Sequence, residues 1–130
     1  LFIFPAAQTP LPRWIGVALI VAGFGLILLV VREHLVRNTS PPKIAPTPNQ
    51  QAALIETGTY AHVRHPIYTG VLLIAFGVAL AHGHVASFAA AVALAIFFTY
   101  KSKYEETLLR AAYPQYAAYM QRTGRFLPFL

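Results

Sequence analysis

The chain has 130 residues, enough for one domain. Hydrophobic residues make up 57% of it and charged residues only 11%, against about a quarter charged in an ordinary soluble domain. That balance excludes a typical soluble fold and points to a membrane protein. With no Cys present, disulfides and thiolate metal sites are excluded. The net charge of +6 is not gathered on a polar face with interleaved aromatics, so the reading is no nucleic acid and membrane lipids as partners.

At the N-terminus, "LFIFP" reads as the tail of an apolar segment whose start lies upstream, not as a signal peptide, because no basic n-region precedes it. Three apolar runs follow, at about 14–31, 67–82 and 85–100. The first, "WIGVALIVAGFGLILLVV", carries no charge and meets the ~20 helical residues that a bilayer core requires. The other two are slightly short and extend into the interface through Tyr68, Phe97, Phe98 and Tyr100. None of the three shows the polar face of a soluble helix. Gly16 and Gly23 share a helical face in the first run, as small residues at a helix contact do.

The stretch 32–66 is polar. Its prolines at 41, 42, 46 and 48 forbid a continuous helix, and a short helix around Gln50–Glu56 would be stopped by Gly58. "HGHV", residues 82–85, is too short for anything but an antiparallel helical hairpin. His82 and His84 there are two potential metal ligands, which do not make a site, so they read as solvated loop and no metal is expected. After Tyr100, "KSKYEETLLRAAYPQYAAYMQRTGRFLPFL" has rough helical spacing, with Pro114 as a helix start and Gly124 as a stop. Its aromatic and basic mix suits interfacial helices over 101–130. The expected fold is therefore all-α: a polytopic integral membrane helical bundle with a transmembrane hairpin and an interfacial C-terminal helix.

Arg13 is the sole charged residue on one side of these spans; the other nine basic residues and all four acids fall in 32–65 or after 100. Three spans put both regions on one face, which the basic excess assigns to the cytosol. The hairpin brings the chain back to the face it left. Arg64 and His65, just before the second span, should then neighbour Glu105 and Glu106, just after the third. Pro66 fits the first turn of a helix, whose free N–H groups, with Arg64 and His65, would favour a carboxylate. A glutamate supplies the complement for an ammonium. Adjacent helical positions point about 100° apart, so only one glutamate need face the site.

"GTYAHVRHPIYTG", the hairpin, "YEETLL" and "YPQYAAYMQRTGRFLP" together resemble the isoprenylcysteine carboxyl methyltransferase and phospholipid methyltransferase superfamily, from about Thr57 to Pro128. That resemblance implies a membrane-embedded enzyme using S-adenosyl-L-methionine. It implies cofactor binding by Tyr60, Arg64, His65, Pro66, Tyr68, Glu105 and Glu106, and catalytic roles for Arg64 and Glu106. Thr59 stands where the family usually has a proline. Gly23-Phe24-Gly25 offers a Gly-x-Gly for the cofactor, set against its packing reading.

The expected acceptor is lipophilic, an isoprenylcysteine-type carboxylate or else a phospholipid amine. The reaction is displacement at a sulfonium methyl, which needs in-line approach and exclusion of water. A non-enzymatic membrane module such as a transporter subunit is the rival; the lack of charges within the spans counts against it. Arg64 and Lys101 also suit topology anchors, and Arg122 and Arg125 suit guides for anionic lipid or the acceptor, or equally plain surface charges. Glu33 and His34 read as headgroup contacts, or else as additions to the cluster from the end of the first span, and His62 as loop surface. Tyr113, Tyr116 and Tyr119 read as an aromatic belt, and Tyr104 as belt or site wall. The sequence does not determine the oligomeric state.

Overall fold

The computed structural model describes residues 13–38 and 57–128. The N-terminal segment, the four prolines of the polar stretch and the short helix expected around Gln50–Glu56 lie outside the described residues.

Those residues form four α-helices: α1 (Arg13–Asn38), α2 (Pro66–His82), α3 (Val85–Ala112) and α4 (Tyr116–Gln121), with a 3-10 turn at Gly58–Ala61. No strand occurs among the described residues, only an isolated parallel bridge between Val63 and Gly124. α1 and α3 are long and apolar enough to cross a membrane. At 17 residues, α2 is about 25 Å long, a little under the hydrocarbon thickness. The protein is thus a helical membrane protein. Large apolar side chains exposed along α1 and α3, such as Val21, Phe24, Leu28, Ile96 and Phe97, are those that acyl chains would solvate.

α1 and α2 pack closely because glycines line the seam. A methyl group on Gly23 would lie 2.5 Å from the Gly70 carbonyl oxygen, and one on Gly16 would lie 2.5 Å from that of Gly77. Such approach is the usual use of small residues between membrane helices. Gly25 meets nothing within 4 Å, so of these two glycines Gly23 is the one in the seam.

α2 stops at Gly83, whose φ of 68° is a left-handed conformation that favours glycine, and its N–H reaches the Ala79 carbonyl at 2.8 Å. His84 then precedes α3 and is buried, 6.1 Å from the His82 ring; it is not the solvated loop residue expected. α3 continues beyond the third apolar run to Ala112. Lys101 and Glu105, paired at 2.6 Å one turn apart, support this extension. It carries the two glutamates on the same rigid rod as the apolar segment.

Candidate functional site

The hairpin places the start of α2 beside the polar end of α3. Pro66 sits at the first turn of α2, where a missing N–H costs nothing. His65 precedes it as the cap residue. On α3, Phe98, Ser102 and Glu106 recur every fourth position and are all buried. Glu106 therefore points inward, while Glu105, about 100° round the helix, lies at the edge.

Glu106 is 2% exposed and gathers three partners. Arg64 Nε donates to its Oε2 at 3.1 Å, and His65 Nε2 lies 2.6 Å from the same oxygen. Arg125 Nη2 donates to Oε1 at 3.0 Å. The His65 contact requires the proton on Nε2, since the carboxylate accepts. Arg64 is further fixed by Nη1, which donates to the carbonyls of Met120 at 2.9 Å and Thr123 at 2.7 Å. The carboxylate and the guanidinium are thus largely satisfied within the protein, as burial of charge demands.

Glu105 is the more accessible of the pair, with 12% of its side chain exposed against 3% for Glu106. It accepts from the Tyr68 hydroxyl and from Lys101 Nζ. Its Oε2 is also 3.9 Å from His65 Nδ1. The Tyr68 ring is parallel to His65, with centroids 5.5 Å apart, and to Phe98, at 4.4 Å. This links α2 to α3 directly beneath the ionic groups.

The C-terminal segment closes the arrangement. Arg64 N–H donates to Gly124 O at 2.9 Å and His65 N–H to Arg125 O at 3.1 Å. Thr69 Oγ1 donates to Phe126 O at 2.6 Å. Phe126 itself meets the His65 ring edge-on at 6.3 Å. Arg125 thus serves Glu106 and is more than a plain surface charge.

Tyr60 stands one layer away from this cluster. Its backbone carbonyl accepts from the Tyr119 hydroxyl at 2.6 Å, and its own hydroxyl lies 3.1 Å from His34 Nε2. Burial, with the negative charge of nearby Glu33 adding to it, raises the Tyr60 hydroxyl above its ordinary range. Burial does the same to Tyr116, assisted by Glu106. Both phenols therefore remain protonated. Tyr116 and Tyr119 are 2% and 1% exposed; they are core residues, which corrects the aromatic-belt reading. Tyr104 is exposed.

Glu33 and His34 also depart from the headgroup reading. The Thr59 hydroxyl donates to Glu33 Oε2 at 2.7 Å, and the Thr59 N–H faces both oxygens at 3.2 and 3.3 Å. The end of α1 thereby holds the turn that leads into Arg64 and His65. A proline at 59 would lack both donors.

All the residues expected at the site are described. Arg64, His65, Pro66, Tyr68, Glu105 and Glu106 come together; Tyr60 supports them from the adjoining turn. Sequence reading missed Arg125, the Phe126 edge, the Glu33–Thr59 contact and Lys101 as a Glu105 partner. Only the i, i+4 spacing of Lys101 and Glu105 was a usable signal.

A family model described as phospholipid methyltransferase (PEMT) matches residues 11–116. No curated protein matches the chain.

Proposed function

The chain belongs to the phospholipid methyltransferase family and is a membrane methyltransferase, and we propose that it takes its methyl group from S-adenosyl-L-methionine and delivers it to the amino headgroup of a phospholipid. The observation that carries this reading is the meeting of the Arg64–His65–Pro66 corner with Glu105 and Glu106 at one end of the α2–α3 hairpin.

The residues present fit the cofactor's amino-acid part. Lys101 and Glu105 form an ion pair whose side chains keep 21% and 12% exposure, offering a cation for a carboxylate and a carboxylate for an ammonium. Tyr104, exposed at the position before Glu105 on α3, offers an aromatic face for a purine. When bound, the cofactor supplies an electrophilic methyl on a positively charged sulfur. Glu105 and Lys101 would hold and orient it; Tyr68 fixes the Glu105 carboxylate by its hydrogen bond.

Arg64 and Glu106 act in this reading as positioning residues. Their atoms are already committed to each other, to His65, to Arg125 and to the Met120 and Thr123 carbonyls. They hold the His65–Pro66 corner rigid, and a rigid corner lowers the cost of in-line alignment. The aromatic rings of Tyr68, Phe98 and Phe126 keep water from the site's inner side.

The family description supports a phospholipid acceptor over the isoprenylcysteine carboxylate that heads the sequence expectation. The spans at about 14–31, 67–82 and 85–100 would make the enzyme multi-pass, with the site facing the cytosol as the basic excess suggests.

The test uses the purified protein in nanodiscs of phosphatidylethanolamine and phosphatidylcholine with methyl-tritiated S-adenosylmethionine. Label is expected in mono- and dimethylated phosphatidylethanolamine. Label transferred instead to an added farnesylcysteine, with none in the lipid, would overturn the acceptor; no binding of S-adenosylhomocysteine would overturn the cofactor.

A further inference from the structure

The His65 ring is held on most of its perimeter. Nε2 meets Glu106 Oε2 at 2.6 Å. One face lies parallel to Tyr68, with centroids 5.5 Å apart, and Phe126 meets the ring edge-on at 6.3 Å. The main chain is pinned as well. Its N–H donates to Arg125 O, and its carbonyl accepts from the Thr69 N–H, both at 3.1 Å. What is left is Nδ1. Glu105 Oε2 stands 3.9 Å from it, too far for a hydrogen bond, and no described residue donates to it.

The pairing with Glu106 decides the tautomer. The buried carboxylate accepts, so Nε2 carries the hydrogen and Nδ1 of the neutral ring presents a lone pair. A carboxylate in this position also stabilises the imidazolium that forms when the far nitrogen takes a proton. The other polar groups around the ring are unsuited to taking one. Arg64 and Arg125 are cations that donate to Glu106, and both Glu106 oxygens are thereby engaged. Tyr68 and Lys101 donate to Glu105 Oε1. Tyr116 of α4, near Glu106, is a phenol that keeps its proton.

Methylation of a lipid amine asks for a group of this kind. The headgroup of phosphatidylethanolamine is an ammonium at neutral pH, and it has no lone pair until a proton leaves. Histidine is the side chain most often used for that removal. Nδ1 opens toward Glu105, the more exposed glutamate and the one assigned above to the cofactor. The lone pair and the methyl donor thus stand on one side of the His65–Pro66 corner.

We propose that His65 Nδ1 is the general base that removes a proton from the acceptor amine. An N–H bond of the ammonium breaks, the hydrogen bonds to Nδ1, and the electron pair left on the amine nitrogen is the nucleophile. The imidazolium, held beside Glu106, gives the proton to water before the next methylation. This rests on the reading of the acceptor as a phospholipid amine.

The experiment follows methyl transfer to phosphatidylethanolamine in nanodiscs against pH, at saturating S-adenosylmethionine. In the unaltered protein the rate should level off at a pH below the titration of the lipid amine itself. In His65→Gln, whose amide can still donate to Glu106, the rate near neutral pH should fall by about a hundredfold. It should then climb about tenfold per pH unit until the amine titrates, because solvent takes the proton. His65→Asn replaces this variant where it does not fold. A rate lowered by one factor at every pH, as a purely structural role would give, overturns the proposal. So does an unaltered protein whose rate climbs up to the amine's own titration, a result that needs no variant. Binding gives a readout without turnover, in protein carrying isotope-labelled histidine with S-adenosylhomocysteine bound. The Nδ1 resonance that the variant lacks should move on addition of phosphatidylethanolamine and stay in place with phosphatidylcholine, which has no N–H to donate. A resonance that ignores both lipids overturns the base. Label in farnesylcysteine with none in lipid overturns the acceptor reading and the base together, since a carboxylate has no proton to lose. Lipid methylation without the expected pH profiles overturns the base alone.

Discussion

Arg64 and Glu106 stand 42 positions apart, yet Nε of the one meets Oε2 of the other at 3.1 Å, with 9% and 3% of their side chains exposed. Each is held by further partners, so neither can leave without stranding a buried charge or donor. The two glutamates consequently differ in surroundings and partners, although they are adjacent on α3.

Replacing Glu106 by Gln should destabilise the protein strongly, because Arg64 and Arg125 would lose their shared counter-charge in a buried setting, at a cost of about 3–5 kcal/mol. Glu105→Gln should cost under about 1 kcal/mol, since its pair with Lys101 is nearer the surface. It should instead weaken S-adenosylhomocysteine binding at least tenfold. Thermal melting in detergent reads the first difference and calorimetry the second. A Glu105→Gln protein with unchanged affinity would return the cofactor role to Glu106.

The glycine seam gives a sharper contrast. Gly23→Leu should disrupt the contact of α1 with α2, because even a methyl group there would lie 2.5 Å from a backbone oxygen. Gly25→Leu, two positions away with nothing within 4 Å, should leave the melting temperature within a few degrees. Comparing limited proteolysis of the two variants checks this; equal resistance would refute the seam.

The contact of Glu33 with Thr59 should show as coupling in a double-mutant cycle. Glu33→Gln and Thr59→Val each remove part of a charge-assisted contact, and the interaction should be about 1.5–3 kcal/mol by denaturant melts. Additive effects would mean that the pair does not hold the turn. The same cycle between Glu33 and Tyr104 should give nothing.

Gly83→Ala tests the hairpin. A left-handed residue with a Cβ costs about 1–2 kcal/mol, so a lower melting temperature is expected. Cofactor affinity should be unchanged, because the turn lies at the far end of α2 from the ionic cluster. Circular dichroism melts and a binding titration run on one sample separate the two effects.

Much of this architecture is legible in the residues alone. The charge-free run 14–31, the four-residue "HGHV" connection and Pro66 after His65 prescribe helices, a reversal and a helix start. A reversal of two rods of similar length must return Arg64 and His65 to the level of Glu105 and Glu106, because rise per residue is fixed. Tertiary packing alone decided which glutamate turns inward, since adjacent positions differ by rotation about an axis that the sequence does not orient. It also decided that Arg125 completes the cluster, that Thr59 is tied to Glu33, and that Tyr116 and Tyr119 are core residues. Each of these depends on where an irregular segment crosses a helix, and no periodicity encodes the path of a loop.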